Sequence, residues 1–270
     1  MNGRGTPAEE RACYVYGIVP KGVDSSGLEG IGDPPARVGL VPHRGLAALV
    51  SAVVVDGPLG TAADLKAHAR VLDTLAAHGP VLPMRFGGVV RDLGAVIDEL
   101  LAPHEDAFLR ALEDLRGTAQ FTLLGTYQEE HVLREVLADR EDIARLHMDV
   151  AALPQEATYY ERVRLGEMIA REIASLREAD TLETLERLAP LAVAVKASPS
   201  ADAPGDRAVS ASFLVRKDDW DAFEKAAEGL ARQWSGRVAL RLLGPIAPYD
   251  FAGDAVEARR TDEGADRPWG

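Results

Sequence analysis

The chain has 270 residues, 47% hydrophobic and 27% charged, the range of an ordinary globular protein with room for about two domains. Its formal net charge of −13 repels phosphate backbones, and no Lys/Arg cluster interleaved with aromatics offsets this, so nucleic acid is excluded as an expected partner. The single cysteine, Cys13, cannot form an intrachain disulfide, which fits a reducing, cytoplasmic setting.

Residues 1–11 are polar and lack an apolar core, so they read as a disordered leader without a secretory signal. Residues 13–19 (CYVYGIV) are β-branched and aromatic and predict a strand. Residues 20–35 hold Gly22, Gly27, Gly30, Gly32 and Pro34 around Asp24, Ser25 and Ser26, a loop composition. A short strand over 36–41, a turn at 42–45 and a longer strand over 46–55 follow. That longer run is the most apolar stretch of the chain, yet it falls well short of the roughly 20 residues that cross a bilayer, so no membrane partner is expected. Thr61 or Asp64 caps a helix in which Leu65, Ala69, Leu72 and Ala76 recur at helical spacing, ended by Gly79 and Pro80. Residues 81–90 read as a strand interrupted by Pro83, Gly87 and Gly88. Asp92 caps a further helix with Leu93, Val96, Ile97, Leu100 and Leu101 on one face. Pro103 breaks it, and a second piece runs through Phe108, Leu112 and Leu115 to Gly117.

Beyond Gly117 the order is clearer. Residues 120–127 (QFTLLGTY) predict a strand, and helical periodicity runs in pieces over 129–188 with a break near Leu153 and Pro154. Strands over 191–196 and 209–216 flank a loop at 198–206. A helix over 218–234 carries Trp220, Phe223, Ala227, Leu230 and Trp234, and a last strand covers 238–243. This β-α-β-β-α-β order predicts a ferredoxin-like unit with an enlarged first helical connection. The expected class is α+β, with a leader at 1–11, an N-terminal α+β domain at 12–117, a ferredoxin-like domain at 118–252 and a flexible tail at 253–270.

Chemistry is sparse. His43, His68, His78, His104, His131 and His147 are scattered and form no H-x-x-x-H pair, so no metal is expected. His68 falls on the apolar side of its helix and reads as a satisfied core histidine. Cys13 reads as a buried, inert thiol. No Lys-Ser/Thr follows the glycine-rich loop, and Pro34 and Pro35 follow Gly30–Gly32, so neither a P-loop nor a dinucleotide fingerprint is present. No catalytic residue and no cofactor is expected. Arg85, between Met84 and Phe86, must reach solvent or meet a carboxylate, and an ion pair tying elements together is the expected answer. Tyr249 and Phe251 are expected to anchor the end of the chain.

Several segments resemble the GvpF/GvpL family of gas-vesicle proteins. They are YVYGIV at 14–19, VLPMRFG at 81–87 after a His-containing helix, Phe213-Leu214-Val215 before a Phe-containing helix, and GPIAPYDF at 244–251. The closing segment carries Ile246 and Ala247 where the family commonly has Trp and Pro. The resemblance implies a non-catalytic gas-vesicle structural or assembly protein of the cytoplasm and the vesicle. Its partners would be the major gas vesicle shell protein and other accessory proteins. The interaction candidates are Pro83, Arg85, Phe86, Pro245, Tyr249 and Phe251. Two other readings stay open from the residues: a small-molecule-binding regulatory module on the ferredoxin-like unit, and an enzyme with an inter-domain cleft near Arg85.

Overall fold

The structure, a computed structural model, describes residues 11–54, 60–154, 158–197 and 206–257. The expected leader apart from Arg11, most of the 198–206 loop and the tail beyond residue 257 lie outside these. The chain divides into two compact units. One comprises the described residues up to Gln120 together with those from Pro245 onward; the other is Phe121–Gly244.

The first unit is built on β1 (Arg11–Pro20), a run of side chains buried almost without interruption, as a strand covered on both faces must be. It pairs antiparallel with β3 (Leu46–Val54) from Arg11↔Val54 to Pro20↔Leu46, and the register shifts between Val15 and Gly17. β2 (Gly39–His43) pairs with β3. On the other side of β1 lie β4 (Leu82–Pro83) and β5 (Val89–Val90), the two halves of the interrupted strand expected at 81–90.

Helix α1 (Ala62–Ala76) covers one face of this sheet through Val71, Leu72, Leu75 and Ala76. The expected stripe was partly wrong, because Leu65 is exposed. Asp64 and His68 hold the inward side instead, since each finds hydrogen-bond partners there. Gly17 marks the tightest approach. A Cβ added there would lie 2.7 Å from the Leu82 carbonyl oxygen and 2.8 Å from Leu72 Cδ2. Gly17→Ala is therefore expected to destabilise by about 1–3 kcal/mol, measured by urea unfolding, because the oxygen belongs to backbone and cannot rotate away.

Asp92 caps the next helix by accepting from the Ala95 amide at 2.8 Å. After α2 (Leu93–Ala95), the turn over Val96–Leu101 widens into a π-helix, with the Ala102 amide donating to the Ile97 carbonyl at 2.8 Å. The regular face expected there is therefore shifted. Val96 and Leu101, five residues apart, are both buried, while Leu93 is exposed. Helix α3 (Glu105–Asp114) follows and buries Phe108, Ala111 and Leu112.

The second unit runs β6 (Thr118–Tyr127), α4 (Glu129–Asp139), α5 (Glu141–Ala151), α6 (Tyr159–Leu188), β7 (Ala194–Ala197), β8 (Arg207–Arg216), α7 (Trp220–Gln233) and β9 (Val238–Ile246). Its four strands are ordered β7-β8-β6-β9, with β7 and β8 antiparallel. Phe223 of α7 fills the centre of the core between Phe121 and Phe213, each ring centroid 5.2 Å away.

The structure is thus mixed α and β with antiparallel pairing. The expected extent of the C-terminal domain, 118–252, differs from what is found: the segment from Pro245 belongs to the first unit. Hydrogen bonding is the reason. Asp250 and Gln120 exchange two bonds, Gln120 Nε2 to Asp250 Oδ2 at 2.7 Å and the Asp250 amide to Gln120 Oε1 at 2.9 Å. The start of the expected tail is also helical, within α8 (Tyr249–Glu257).

Candidate functional site

Tyr14 and Tyr16 of β1 pack together beneath α1, their ring centroids 4.9 Å apart, although the register shifts between Val15 and Gly17. Tyr16 Oη accepts from the Ile31 amide at 2.9 Å and shares a 2.8 Å bond with Ser51 Oγ. A Cβ on Gly30 would fall 1.9 Å from that oxygen, which explains a glycine in the neighbouring loop. Tyr14 Oη accepts from the Gly87 amide at 3.1 Å and lies 2.9 Å from His68 Nδ1. Because the Gly87 amide is a donor, the phenol proton is free to go to Nδ1, which places the imidazole proton on Nε2. Burial pushes the Tyr14 phenol up to about 12. Burial also pushes the His68 imidazole below its ordinary value, offset in part by the Met84 backbone, although Nε2 makes no hydrogen bond of normal geometry. At neutral pH the pair is uncharged.

Asp64, one turn before His68, closes a capping box with Thr61 and is buried. Its carboxylate accepts from Thr61 Oγ1 at 2.7 Å and from the amides of Gly32 at 3.0 Å and Thr61 at 3.1 Å. The Thr61 hydroxyl and then the Gly32 amide hold it below the usual carboxylate range. The signal in the sequence was the Thr61-x-x-Asp64 spacing, but nothing local revealed that the loop at Gly32 would also dock there.

The 81–87 segment wraps this cluster. The Met84 amide donates to the Tyr16 carbonyl at 2.9 Å, Pro83 is buried, and the half-buried Phe86 ring lies 5.5 Å from His68 and 6.0 Å from Tyr14. Arg85, expected to make an ion pair between elements, is exposed, and none of the described residues pairs with it. Arg85 lies beyond the end of β4, where no strand pairing or buried carboxylate of the described residues holds it, while Met84 and Phe86 on either side stay half-buried.

The closing segment joins the same core. Ala247 donates its amide to Asp73 Oδ1 at 2.9 Å, Phe251 is buried, and Tyr249 and Pro245 are half-buried. Burial raises the Asp73 carboxyl, while the Ala247 amide and the Tyr249 hydroxyl pull it back. Burial and the neighbouring Asp73 raise the Tyr249 phenol. Helix α8 also contacts β4 and α3. All six candidate residues thus fall in the first unit; Phe86 and Tyr249 pack on the core beside α1, and Arg85 alone of the six is exposed.

The family profile of the gas vesicle synthesis protein GvpL/GvpF matches residues 12–253. The chain belongs to this family. Gas vesicle protein F of Streptomyces sp. (strain CB03234) is 34% identical over 245 residues, covering 89% of this chain and 99% of its own length. Gas vesicle protein L of the same strain is 28% identical over 271 residues, 92% of this chain and 95% of its own length. The crystal structure of GvpF from Anabaena sp. PCC7120 superposes with a TM-score of 0.73 at 25% identity, over 89% of this chain and 98% of that one. Like the GvpL/GvpF proteins it resembles, the chain acts in gas vesicle formation.

In this GvpL/GvpF protein Tyr14, Tyr16 and Asp64 each hold loop backbone near α1, whereas His68 Nε2 and Tyr249 Oη are buried without a hydrogen bond of normal geometry. Among the described residues no three His, Cys, Asp or Glu side chains converge as metal ligands, and no helix is long and apolar enough to cross a membrane. Burial pushes the Cys13 thiol up, away from the reactive thiolate. The glycine-rich loop after β1 walls a cleft of about 410 Å³ that Val19, Leu75, His78 and Pro80 also line.

The two carboxylates of α1 respond to pH with opposite signs. Asp64 is depressed in the folded state, so its contribution is present above the unfolded value of about 3.9 and is lost as pH falls through the folded one. Asp73 is raised, so its contribution is present below the unfolded value and is lost as pH rises through the folded one. Asp64→Asn should lower stability by about 1–3 kcal/mol at pH 7, and the gap should close below about pH 3.9. Asp73→Asn, which keeps an acceptor for Ala247, should cost less at pH 7. Urea titrations across this range check both.

Proposed function

We propose that this chain is a non-catalytic assembly protein of the cytoplasm and the gas vesicle that contacts the major shell protein and other accessory proteins. The observation that carries the reading is the GvpL/GvpF match across residues 12–253, with relatives named gas vesicle protein F and L over nearly their whole lengths. A non-catalytic role is supported by the buried polar groups of the first unit. Tyr14, Tyr16 and Asp64 spend their hydrogen bonds on holding loops in place, and the exposed Arg85 has no titratable partner among the described residues. An apolar shell subunit needs a soluble, charged partner before it polymerises, and an acidic surface suits that task.

In this reading the two compact units are two domains, and the second is ferredoxin-like with an enlarged first helical connection. Support comes from its sheet order, in which the first strand of the unit lies between the third and the fourth. The test is to delete the gene in a vesicle-forming host and, separately, to capture the tagged full-length chain from that host. Loss of vesicles together with co-purification of the shell subunit is expected. Normal vesicles in the deletion strain, or capture without shell subunit, overturns the proposal.

A further inference from the structure

Strand β9 is the edge of the second unit's sheet, with β6 on one side and no further strand on the other among the described residues. An edge strand offers a row of backbone donors and acceptors to an incoming chain. Natural proteins usually blunt such an edge by covering its flank, yet here the flank is open. A groove of about 270 Å³ runs between β9 and α7, with Leu240 and Leu242 on the strand side. On the helix side stand Ala227 and Ala231, four residues apart and therefore on one face, and their small side chains leave the groove unfilled. Leu123 of β6 forms the floor beside them.

The rim is of one sign. Glu224 and Glu228, also four apart, line the groove, and both are exposed. The only ion pair of this rim among the described residues is a long one, Glu228 to Arg232 at 3.6 Å, with both side chains largely in water. An unpaired edge, an apolar slot for alternate side chains and an acidic lip are the elements of strand addition.

We infer that the α7–β9 groove is a docking site for an extended partner segment that adds as a strand to β9. That segment would place apolar side chains at alternate positions into the groove and a Lys or Arg on the same face against Glu224 and Glu228. Charge selects this occupant over a second copy of the chain, because two-fold pairing of β9 with itself would set one acidic rim near another. The assignment does not depend on which vesicle component the chain contacts: shell-subunit capture can succeed while this site fails, and the reverse.

The probe is the blocked peptide Ac-Lys-Thr-Val-Thr-Leu-Thr-Lys-NH2, whose Lys, Val, Leu and Lys share one face in an extended strand. It is titrated into the full-length chain and followed by amide chemical shifts. Saturable binding centred on β9 and α7 is expected, weakened about ten-fold when both Lys are replaced by Glu. It should be abolished when the alternate backbone nitrogens of one edge are methylated and kept when those of the opposite edge are. Ala231→Trp fills the groove and should remove binding. In Glu224→Lys/Glu228→Lys, which alters only exposed side chains, the preference should invert so that the Glu peptide binds tighter. Binding that is indifferent to charge and to backbone methylation overturns the proposal. So does a concentration-dependent dimer that Ala231→Trp dissociates, which would make a second copy the occupant.

Discussion

Asp180→Ala is expected to destabilise the second unit by about 3–5 kcal/mol, one of the two largest effects foreseen for a single substitution in this chain. Asp180 sits on α6 and is 5% exposed. It accepts from Tyr127 Oη at 2.7 Å and from Arg237 Nη1 at 2.9 Å, with Arg237 Nη2 closing a two-pronged pair. Removing the carboxylate leaves a half-buried guanidinium facing the phenol it once shared an anchor with. The remaining carboxylate, Glu135, is 3.9 Å from Arg237, too far to replace a bidentate bond. Asp180→Asn keeps the volume and one acceptor, and should cost roughly 2 kcal/mol. The triple variant Tyr127→Phe/Asp180→Leu/Arg237→Met should recover most of the loss, because an apolar replacement of the whole network leaves nothing unpaired. Trp220 and Trp234 lie in this unit, so tryptophan fluorescence during urea unfolding reads the change. A loss below about 1 kcal/mol for Asp180→Ala would mean that water replaces the carboxylate and that the network does not hold α6 to the sheet.

Phe223→Ala should cost a comparable amount, about 3–5 kcal/mol, by a different route. The ring is fully buried and packs against both Phe121 and Phe213, which belong to neighbouring strands of the sheet. Truncation empties a site walled by two rigid rings on strands that cannot close the gap, so the transfer loss and the cavity add. Phe223→Leu, which refills most of the volume, should cost about 1–1.5 kcal/mol. Equal losses for the two variants would indicate that the strands do collapse onto the site. The same fluorescence-detected unfolding distinguishes these outcomes.

Much of the secondary structure was legible in the residues. The apolar run at 46–55, the Thr61 cap, the strand at 120–127 and the α7 stripe of Phe223, Ala227 and Leu230 each carry their own local signal. Three expected placements differ in the structure, each for its own reason. Leu65 was set inward because periodicity weighs hydrophobicity alone, whereas Asp64 and His68 are drawn inward by Gly32 and Tyr14, partners distant in sequence. The face expected over 92–101 is displaced because a single widened turn rotates every later residue, so that Leu101, five residues after Val96, is buried while Leu100 is only half-buried, and no local composition marks such a turn. A charge among apolar neighbours suggests burial with a partner for Arg85, but the strand ends at Pro83 and the side chain stands in solvent.

The sequence by itself determined the α+β class, the strand and helix order of the second unit and, through VLPMRFG and GPIAPYDF, the GvpL/GvpF family. These are local properties: side-chain period, caps and short motifs survive in a linear string. Only the tertiary structure decided that the closing segment leaves the second unit to join α1. It also decided that Asp180, Tyr127 and Arg237 meet, and that an open groove remains beside β9. Each of those depends on groups separated by 50 residues or more along the chain or, for the groove, on the small side chains of α7 facing leucines of two strands.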